Sequence, residues 1–123
     1  MYNGFKRKKG WCYLNLFTER VIQIIRGIPS GHVMSYGQVA AAAGNPRGAR
    51  QVSRVLHSMS RKYELPWHRI INAQGGISTP DSAKEKGLTQ RQLLEAEGIS
   101  FKVNGKIEFA TYRWFPLDAE EDY

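Results

Sequence analysis

The sequence predicts a mainly α fold: a winged-helix-like helix-turn-helix domain with a small C-terminal β-hairpin. Three observations favour it. The 123 residues suit one compact domain, 1–123, rather than two. Two short helical patterns flank the turn sequence Gly44-Asn45-Pro46. An Asn104-Gly105 pair interrupts a segment in which apolar and polar residues alternate, which is the strongest short signal for a hairpin.

The first predicted helix follows Thr18, which is placed to cap it. Its apolar residues recur at helical spacing: Val21, Ile22, Ile24 and Ile25. Gly27 and Pro29 end the pattern, and we expect this helix to belong to the core.

The next two helices form the helix-turn-helix candidate. Ser35-Tyr36-Gly37-Gln38 has the form of a capping box and predicts an alanine-rich helix over 36–43. A longer helix over 49–61 follows the turn. Its apolar face holds Ala49, Val52, Leu56 and Met59, and its polar face holds Arg50, Ser53, Arg54, His57 and Arg61. A basic outer face on the second helix favours DNA binding, and an ordinary helical hairpin with a solvated face is the alternative.

The C-terminal part begins with a Gly/Ser/Pro/Asp-rich loop, 72–81, which is too long to be a mere connector. A second capping box, 89–92, opens a helix that continues through Glu97 and ends at Gly98. Residues 100–109 then predict the hairpin, a candidate wing. The acidic tail, 118–123, is expected to fray.

Charge is distributed unevenly along the chain. Residues 1–62 carry eleven Lys and Arg against one acid, whereas residues 63–123 carry seven against ten acids. An N-terminal half with this excess favours an acidic partner, most simply a nucleic acid, with an anionic membrane surface as the alternative. No apolar stretch approaches the length of a membrane span, and we predict neither a signal peptide nor a membrane partner.

Cysteine usage bears on compartment and cofactors. The single cysteine, Cys12, fits a reducing cytosol, is expected to be a partly buried small hydrophobe, and excludes a cysteine-rich metal site. The sequence has no phosphate loop, no zinc-deaminase pattern and no clustered Cys and His ligands. We therefore expect no metal and no organic cofactor.

Four motifs together carry a family resemblance: SYGQVA (35–40), GNPRGAR (44–50), PWHRI (66–70) and LLEAEG (93–98). In this order and spacing they resemble the DNA-binding domain of the O6-alkylguanine-DNA alkyltransferases, over roughly 17–115 and after a basic N-terminal segment, 1–16. In that family the central motif is Pro-Cys-His-Arg, and the cysteine thiolate removes the alkyl group. Trp67 stands here instead, which is the mark of the alkyltransferase-like proteins.

The exchange of cysteine for tryptophan changes the chemistry of the site. Alkyl transfer needs a nucleophile that is anionic near neutral pH, as a thiolate is. An indole keeps its proton and delocalises its nitrogen lone pair into the ring, so Trp67 can donate a hydrogen bond and present an apolar face but does not accept the alkyl group. We interpret it as a binding surface. The alternative is that Trp67 fills a vacated pocket as core.

The resemblance also implies roles for residues around the pocket. His68 and Glu97 match the relay that activates the thiolate, and here they are expected to persist as an orienting polar network. Tyr36 matches the tyrosine that pushes on the nucleotide's phosphate, and Arg50 the arginine that replaces the flipped base in the stack. Arg69 is expected to sense the electrostatics of an alkylated guanine, or else to form a salt bridge that holds the loop.

Further residues complete the predicted site. In the related enzymes the second helix of the motif enters the minor groove, and the small Ala49 and Ser53 permit close approach. Asn45 is expected to brace the turn. The remaining assignments are Arg47 and Arg54 to DNA and Met59 and Ser78 to the pocket, with the 75–80 segment as a pocket wall.

The resulting hypothesis is a protein that flips and holds O6-alkylguanine in double-stranded DNA without chemistry and presents it to nucleotide excision repair. We expect a monomer that acts in the bacterial nucleoid or the eukaryotic nucleus. Two other functions are possible: a helix-turn-helix transcription regulator without lesion specificity, and a residual enzyme that acts through Cys12 or through hydrolysis assisted by His68 and Glu97.

Overall fold

The computed structural model of the protein describes residues 16–77, 84–85 and 87–116. Its helices are α1 Leu16–Arg26, α2 Tyr36–Ala42, α3 Ala49–Tyr63, α4 Gln90–Ala96 and α5 Phe109–Tyr112, with a 3-10 turn at Trp67–Arg69. Its strands are β1 Met34–Ser35, β2 Ile70–Ile71, β3 Lys84–Glu85 and β4 Leu88–Thr89. The prediction of a mainly α fold is confirmed.

Helix α1 begins earlier than the sequence indicated. It starts at Leu16, so Thr18 lies inside the helix and is not its cap, which corrects our prediction. The physical reason is packing, because Phe17 lies against the core and extends the apolar face by a turn. The predicted core face is otherwise right: Val21, Ile22 and Ile25 are fully buried.

Helices α2 and α3 follow the predicted pattern. The Ser35 hydroxyl accepts from the Gln38 amide at 3.0 Å, and the Gln38 side chain accepts from the Ser35 amide at 3.5 Å, so the capping box is present. Helix α3 runs two residues further than predicted, to Tyr63. Glu64 ends it in the left-handed conformation with φ of 55°.

The core holds the three-helix unit and the central corner of the chain together. Helices α1, α2 and α3 pack on one another around a cluster that includes Ile22, Val39 and Val52. Strand β1 pairs in parallel with β2, with Met34 opposite Ile70 and Ser35 opposite Ile71. This pair was not predicted from the sequence, and it connects the start of α2 to the PWHRI motif.

The C-terminal region confirms one prediction and corrects another. Thr89 and Gln92 form the second capping box, and Gly98, at φ of 95°, follows the end of α4. The predicted hairpin is reduced to a single antiparallel bridge between Phe101 and Ile107. Its second strand does not reach Phe109, which instead begins α5. This helix places Phe109 and Tyr112, three residues apart, against a second apolar cluster around Leu94.

Several predictions fall outside the described residues. Cys12, Ser78, most of the basic N-terminal segment and the acidic tail are among them. Within the described ranges no helix is long and apolar enough to cross a bilayer.

Candidate nucleic-acid interface

The polar face of α3 forms an exposed basic surface. We call it the α3 surface and define it by Arg50, Ser53, Arg54, His57 and Arg61, all of which are exposed. The opposite face is buried through Val52, Val55 and Leu56. None of the three arginines forms an ion pair with another residue in the part of the chain that the structure describes. Their guanidinium groups are therefore available to phosphates.

The turn before α3 is tightly built. Asn45 accepts the Arg47 amide on its side-chain oxygen at 3.2 Å, and its carbonyl accepts the Gly48 amide at 2.9 Å, so the predicted bracing by Asn45 is confirmed. A Cβ on Gly48 would lie 2.8 Å from the Phe17 ring, which explains glycine there. Arg47 is exposed beside the half-buried Ala49. The turn thus packs against α1 through Gly48 and Phe17, and this contact positions the start of α3.

The backbone of the PWHRI motif, 66–70, is hydrogen-bonded to Gln90, a residue that was not predicted from the sequence. The Gln90 side chain donates to the His68 carbonyl at 3.0 Å and to the Ile70 carbonyl at 2.9 Å. Gln90 is only 2% exposed. In the sequence it appears merely as the first residue of a helix, and no pattern distinguishes it from a solvated glutamine. Its two bonds satisfy buried carbonyls and fix the backbone on either side of Arg69.

Glu97, at the end of α4, is the centre of a buried polar network. Its carboxylate accepts from His68 Nε2 at 2.7 Å, from Arg69 Nη2 at 2.7 Å and from the Gly31 amide at 3.0 Å. Arg69 also donates through Nε at 3.1 Å to both carboxylate oxygens, and through Nη1 to the Ile28 carbonyl at 2.8 Å. We call His68, Arg69 and Glu97 the Glu97 network. The expected polar network between His68 and Glu97 is confirmed.

These contacts decide the ionisation of Glu97. Burial by itself raises the pKa of a carboxyl group. The hydrogen bonds from Arg69, Gly31 and His68 outweigh burial and lower the pKa of Glu97 from 4.5 to about 2. Glu97 is therefore a carboxylate near neutral pH, and it accepts a hydrogen bond from His68 Nε2.

The structure resolves the two alternatives for the local contacts of Arg69. Its side chain, 18% exposed, forms the salt bridge with Glu97 and ties the corner to the 28–31 loop. The alternative of a holding salt bridge is the one observed. Its predicted role as a sensor of the base stays a prediction.

Trp67, Tyr36 and Met59 were assigned to the lesion pocket by the family resemblance. Trp67, Tyr36 and Met59 are partly buried against the same core cluster. The Trp67 ring meets the His68 ring edge-on, with centroids 6.1 Å apart and planes at 87°. The Trp67 indole N–H donates to the Glu85 carboxylate at 2.9 Å, a partner that sequence reasoning missed. The structure thus places Trp67 next to the Glu97 network through His68.

The described residues contain no group of three or more Cys, His, Asp or Glu side chains placed to hold a metal ion.

Comparisons with known proteins show that the chain belongs to a family of DNA-binding domains. The family described as "6-O-methylguanine DNA methyltransferase, DNA binding domain" matches residues 16–99. The chain is 45% identical over 98 residues to the DNA base-flipping protein of Escherichia coli strain K12, covering 80% of this chain and 74% of the relative. It is 35% identical over 105 residues to the alkyltransferase-like protein 1 of Schizosaccharomyces pombe, covering 81% and 95%.

A solved structure agrees with these relatives. The crystal structure of S. pombe Atl1 in complex with damaged DNA containing O6-carboxymethylguanine matches this chain with a TM-score of 0.68 at 36% identity. The match covers 81% of this chain and 95% of that one.

Proposed function

Because the chain belongs to the family of the 6-O-methylguanine DNA methyltransferase DNA-binding domain and is alkyltransferase-like, we propose that it recognises O6-alkylguanine in duplex DNA without repairing it. The protein binds the duplex, rotates the damaged base out of the stack and holds it at the Trp67 pocket. The names of its relatives support both steps, since one is a base-flipping protein and another is seen on DNA with an alkylated guanine.

The observation that carries this proposal is Trp67 beside an intact Glu97 network. His68 and Glu97 are hydrogen-bonded as a relay would be, yet the neighbouring side chain is an indole. An indole supplies no thiolate to accept the alkyl group, whereas it supplies a broad apolar surface against which a base can stack. The site therefore keeps the support of an alkyltransferase pocket and replaces reaction by binding.

Binding and flipping use the α3 surface. Its arginines neutralise phosphates and thereby release the counterions that surround DNA. This release favours binding, and the affinity therefore falls as the salt concentration rises. Extruding a base costs a few kcal/mol of stacking and pairing. Tyr36 pushes on the backbone of the target nucleotide and Arg50 fills the gap in the stack, and together with the pocket they offset that cost.

Recognition alone leaves the lesion in place, so the bound complex must serve another system. We propose that the protein acts as a monomer, at the genome, and presents the flipped lesion to nucleotide excision repair. The complex offers such a system two signals, a protein bound at one site and a duplex with one base displaced.

Matched duplexes with guanine or O6-methylguanine test the function. Fluorescence anisotropy should show tighter binding to the lesion, and a fluorescent base analogue at the lesion position should brighten as it leaves the stack. Mass spectrometry after incubation should find the methyl group still on the DNA and an unmodified protein, Cys12 included. Equal affinity for the two duplexes would argue for a sequence-reading regulator, and methyl loss from DNA would argue for an enzyme.

A further inference from the structure

Glu85 contacts the pocket tryptophan from outside the three-helix unit. Its carboxylate accepts the Trp67 indole N–H at 2.9 Å. Glu85 lies on β3, which pairs antiparallel with β4 in the register Glu85 to Leu88 and Lys84 to Thr89. Thr89 is also the N-cap of α4. Glu85 thus lies on a strand pair whose second strand leads directly into α4, and Glu97 follows the last residue of that helix.

The chemistry of the indole makes this contact consequential. Tryptophan has one polar group, an N–H that donates and never accepts. A hydrogen bond to a carboxylate is charge-assisted and stronger than one between neutral groups. Once Glu85 takes the N–H, the rest of the ring can offer a partner only apolar and π surface.

Guanine and O6-alkylguanine differ at the atom that a free N–H would recognise. The O6 of guanine is a carbonyl oxygen and a strong hydrogen-bond acceptor, whereas in the lesion it is an ether oxygen, a weaker acceptor that the alkyl group partly shields. An indole with a free N–H would therefore favour the undamaged base. An indole whose N–H is occupied favours the alkyl group.

We propose that Glu85 is a specificity-determining positioning residue, which holds the Trp67 ring as an apolar wall and removes its only donor from the pocket. This inference rests on the proposed function. The T-shaped contact with His68 and the packing on the core restrain the ring from two sides. The bond to Glu85 supplies a third restraint at the nitrogen, which defines the orientation of the ring plane.

The test compares three variants with the wild type for affinity on O6-methylguanine and guanine duplexes. Glu85→Ala removes the acceptor and should reduce the ratio of lesion to undamaged affinity by about fivefold, as expected for loss of one hydrogen bond. Glu85→Gln keeps an acceptor oxygen and should preserve most of the ratio. Glu95→Ala removes an exposed glutamate that is paired with Arg91 instead, and should leave the ratio unchanged.

A spectroscopic readout reports the contact itself. In ¹⁵N-labelled protein the Trp67 indole N–H signal, assigned by its loss in Trp67→Phe, should move upfield and exchange faster with water in Glu85→Ala. A structural role alone would lower thermal stability and leave the affinity ratio intact.

The outcomes separate this inference from the function on which it depends. A wild-type protein without lesion preference refutes the proposed function, and the role of Glu85 is lost with it. A wild-type preference that Glu85→Ala retains in full, while the indole signal shifts, overturns the role of Glu85 alone. An indole N–H that exchanges as fast in the wild type as in Glu85→Ala overturns it as well.

Discussion

Arg54 and Arg69 carry the same guanidinium group in opposite surroundings. Arg54 is exposed on the α3 surface and forms no ion pair with a residue in the described ranges. Arg69 is largely buried, and its donors are directed to Glu97 and to the Ile28 carbonyl. The first can exchange water for a phosphate at little cost, whereas the second holds three segments of the chain together. We therefore expect the α3 surface to contribute to DNA binding and the Glu97 network to contribute to the stability of the fold.

The largest effect is expected from Glu97→Ala. It removes the acceptor of Arg69, His68 and the Gly31 amide, which leaves a cation and two donors buried without their partner. The free energy of unfolding should fall by about 2–4 kcal/mol, as measured by urea denaturation. Glu95→Ala, which removes an exposed i,i+4 pair with Arg91, should cost less than about 0.5 kcal/mol. Equal losses of unfolding free energy in the two variants would contradict a stabilising role of the Glu97 network.

Acid should act on the same network. Because the pKa of Glu97 is lowered from 4.5 to about 2 on folding, the unfolded chain takes up a proton first as the pH falls. The stabilisation by ionised Glu97 is complete above pH 4.5 and is lost progressively down to about pH 2. The difference in unfolding free energy between the wild type and Glu97→Gln should shrink across this window. A difference that does not change with pH would show that the charge of Glu97 does not contribute to the stability of the fold.

Trp67 should affect DNA binding, because its proposed role is to hold the damaged base. Trp67→Ala removes the stacking surface, and base-to-aromatic contacts are worth on the order of 1–3 kcal/mol. Lesion affinity should fall by about tenfold or more, with little change for an undamaged duplex. Trp67→Phe should retain a larger part of the preference. If Trp67→Ala only lowers the melting temperature, the indole is core filler and the pocket hypothesis is wrong.

The smallest effect is expected on the α3 surface, and it should appear only in binding. Arg54→Ala should reduce the slope of log affinity against log salt by about 0.9 if the side chain neutralises one phosphate. Its unfolding free energy should stay within about 0.5 kcal/mol of the wild type. Arg91→Ala is the matched control, because Arg91 lies on α4, outside the α3 surface. It pairs with Glu95, and its Cζ atom lies 4.6 Å from the centroid of the Phe101 ring. Slopes that match in both variants would contradict the role of the α3 surface.

Helices α1 to α4 were predictable from the sequence because their determinants are local. The capping boxes at Ser35 and Thr89 join residues three apart, and both form as expected. The basic face of α3 follows from helical periodicity alone. Two predictions from local sequence were wrong. Apolar packing extends α1 beyond Thr18 toward the N-terminus, and it makes Phe109 the start of helix α5 instead of part of a strand.

The candidate site divides along the same line. The resemblance of the PWHRI motif identified Trp67 and His68 as a pair and supplied Glu97 as a partner. It did not reveal the hydrogen bonds of Gln90 or Glu85. No sequence pattern distinguishes a buried glutamine, or a glutamate that accepts from a distant tryptophan, from a solvated residue of the same type. Nor could it decide whether Arg69 senses the alkylated base or forms a salt bridge, since both roles are compatible with an arginine at this position of the motif.

The sequence alone was therefore enough to predict helices α1 to α4, the charged face of α3 and the absence of a thiol from the central motif. Apart from the pairing of His68 with Glu97, which the family resemblance implied, the polar contacts between distant segments became visible only in the tertiary structure. The bond from Trp67 to Glu85 spans 18 residues, that from Arg69 to Glu97 spans 28, and that from Gly31 to Glu97 spans 66. Contacts within a helical turn are dictated by backbone geometry, which any sequence of the right period adopts. Contacts across such separations exist only where the packed core brings the segments together, so the chemistry of the pocket is a property of the folded chain.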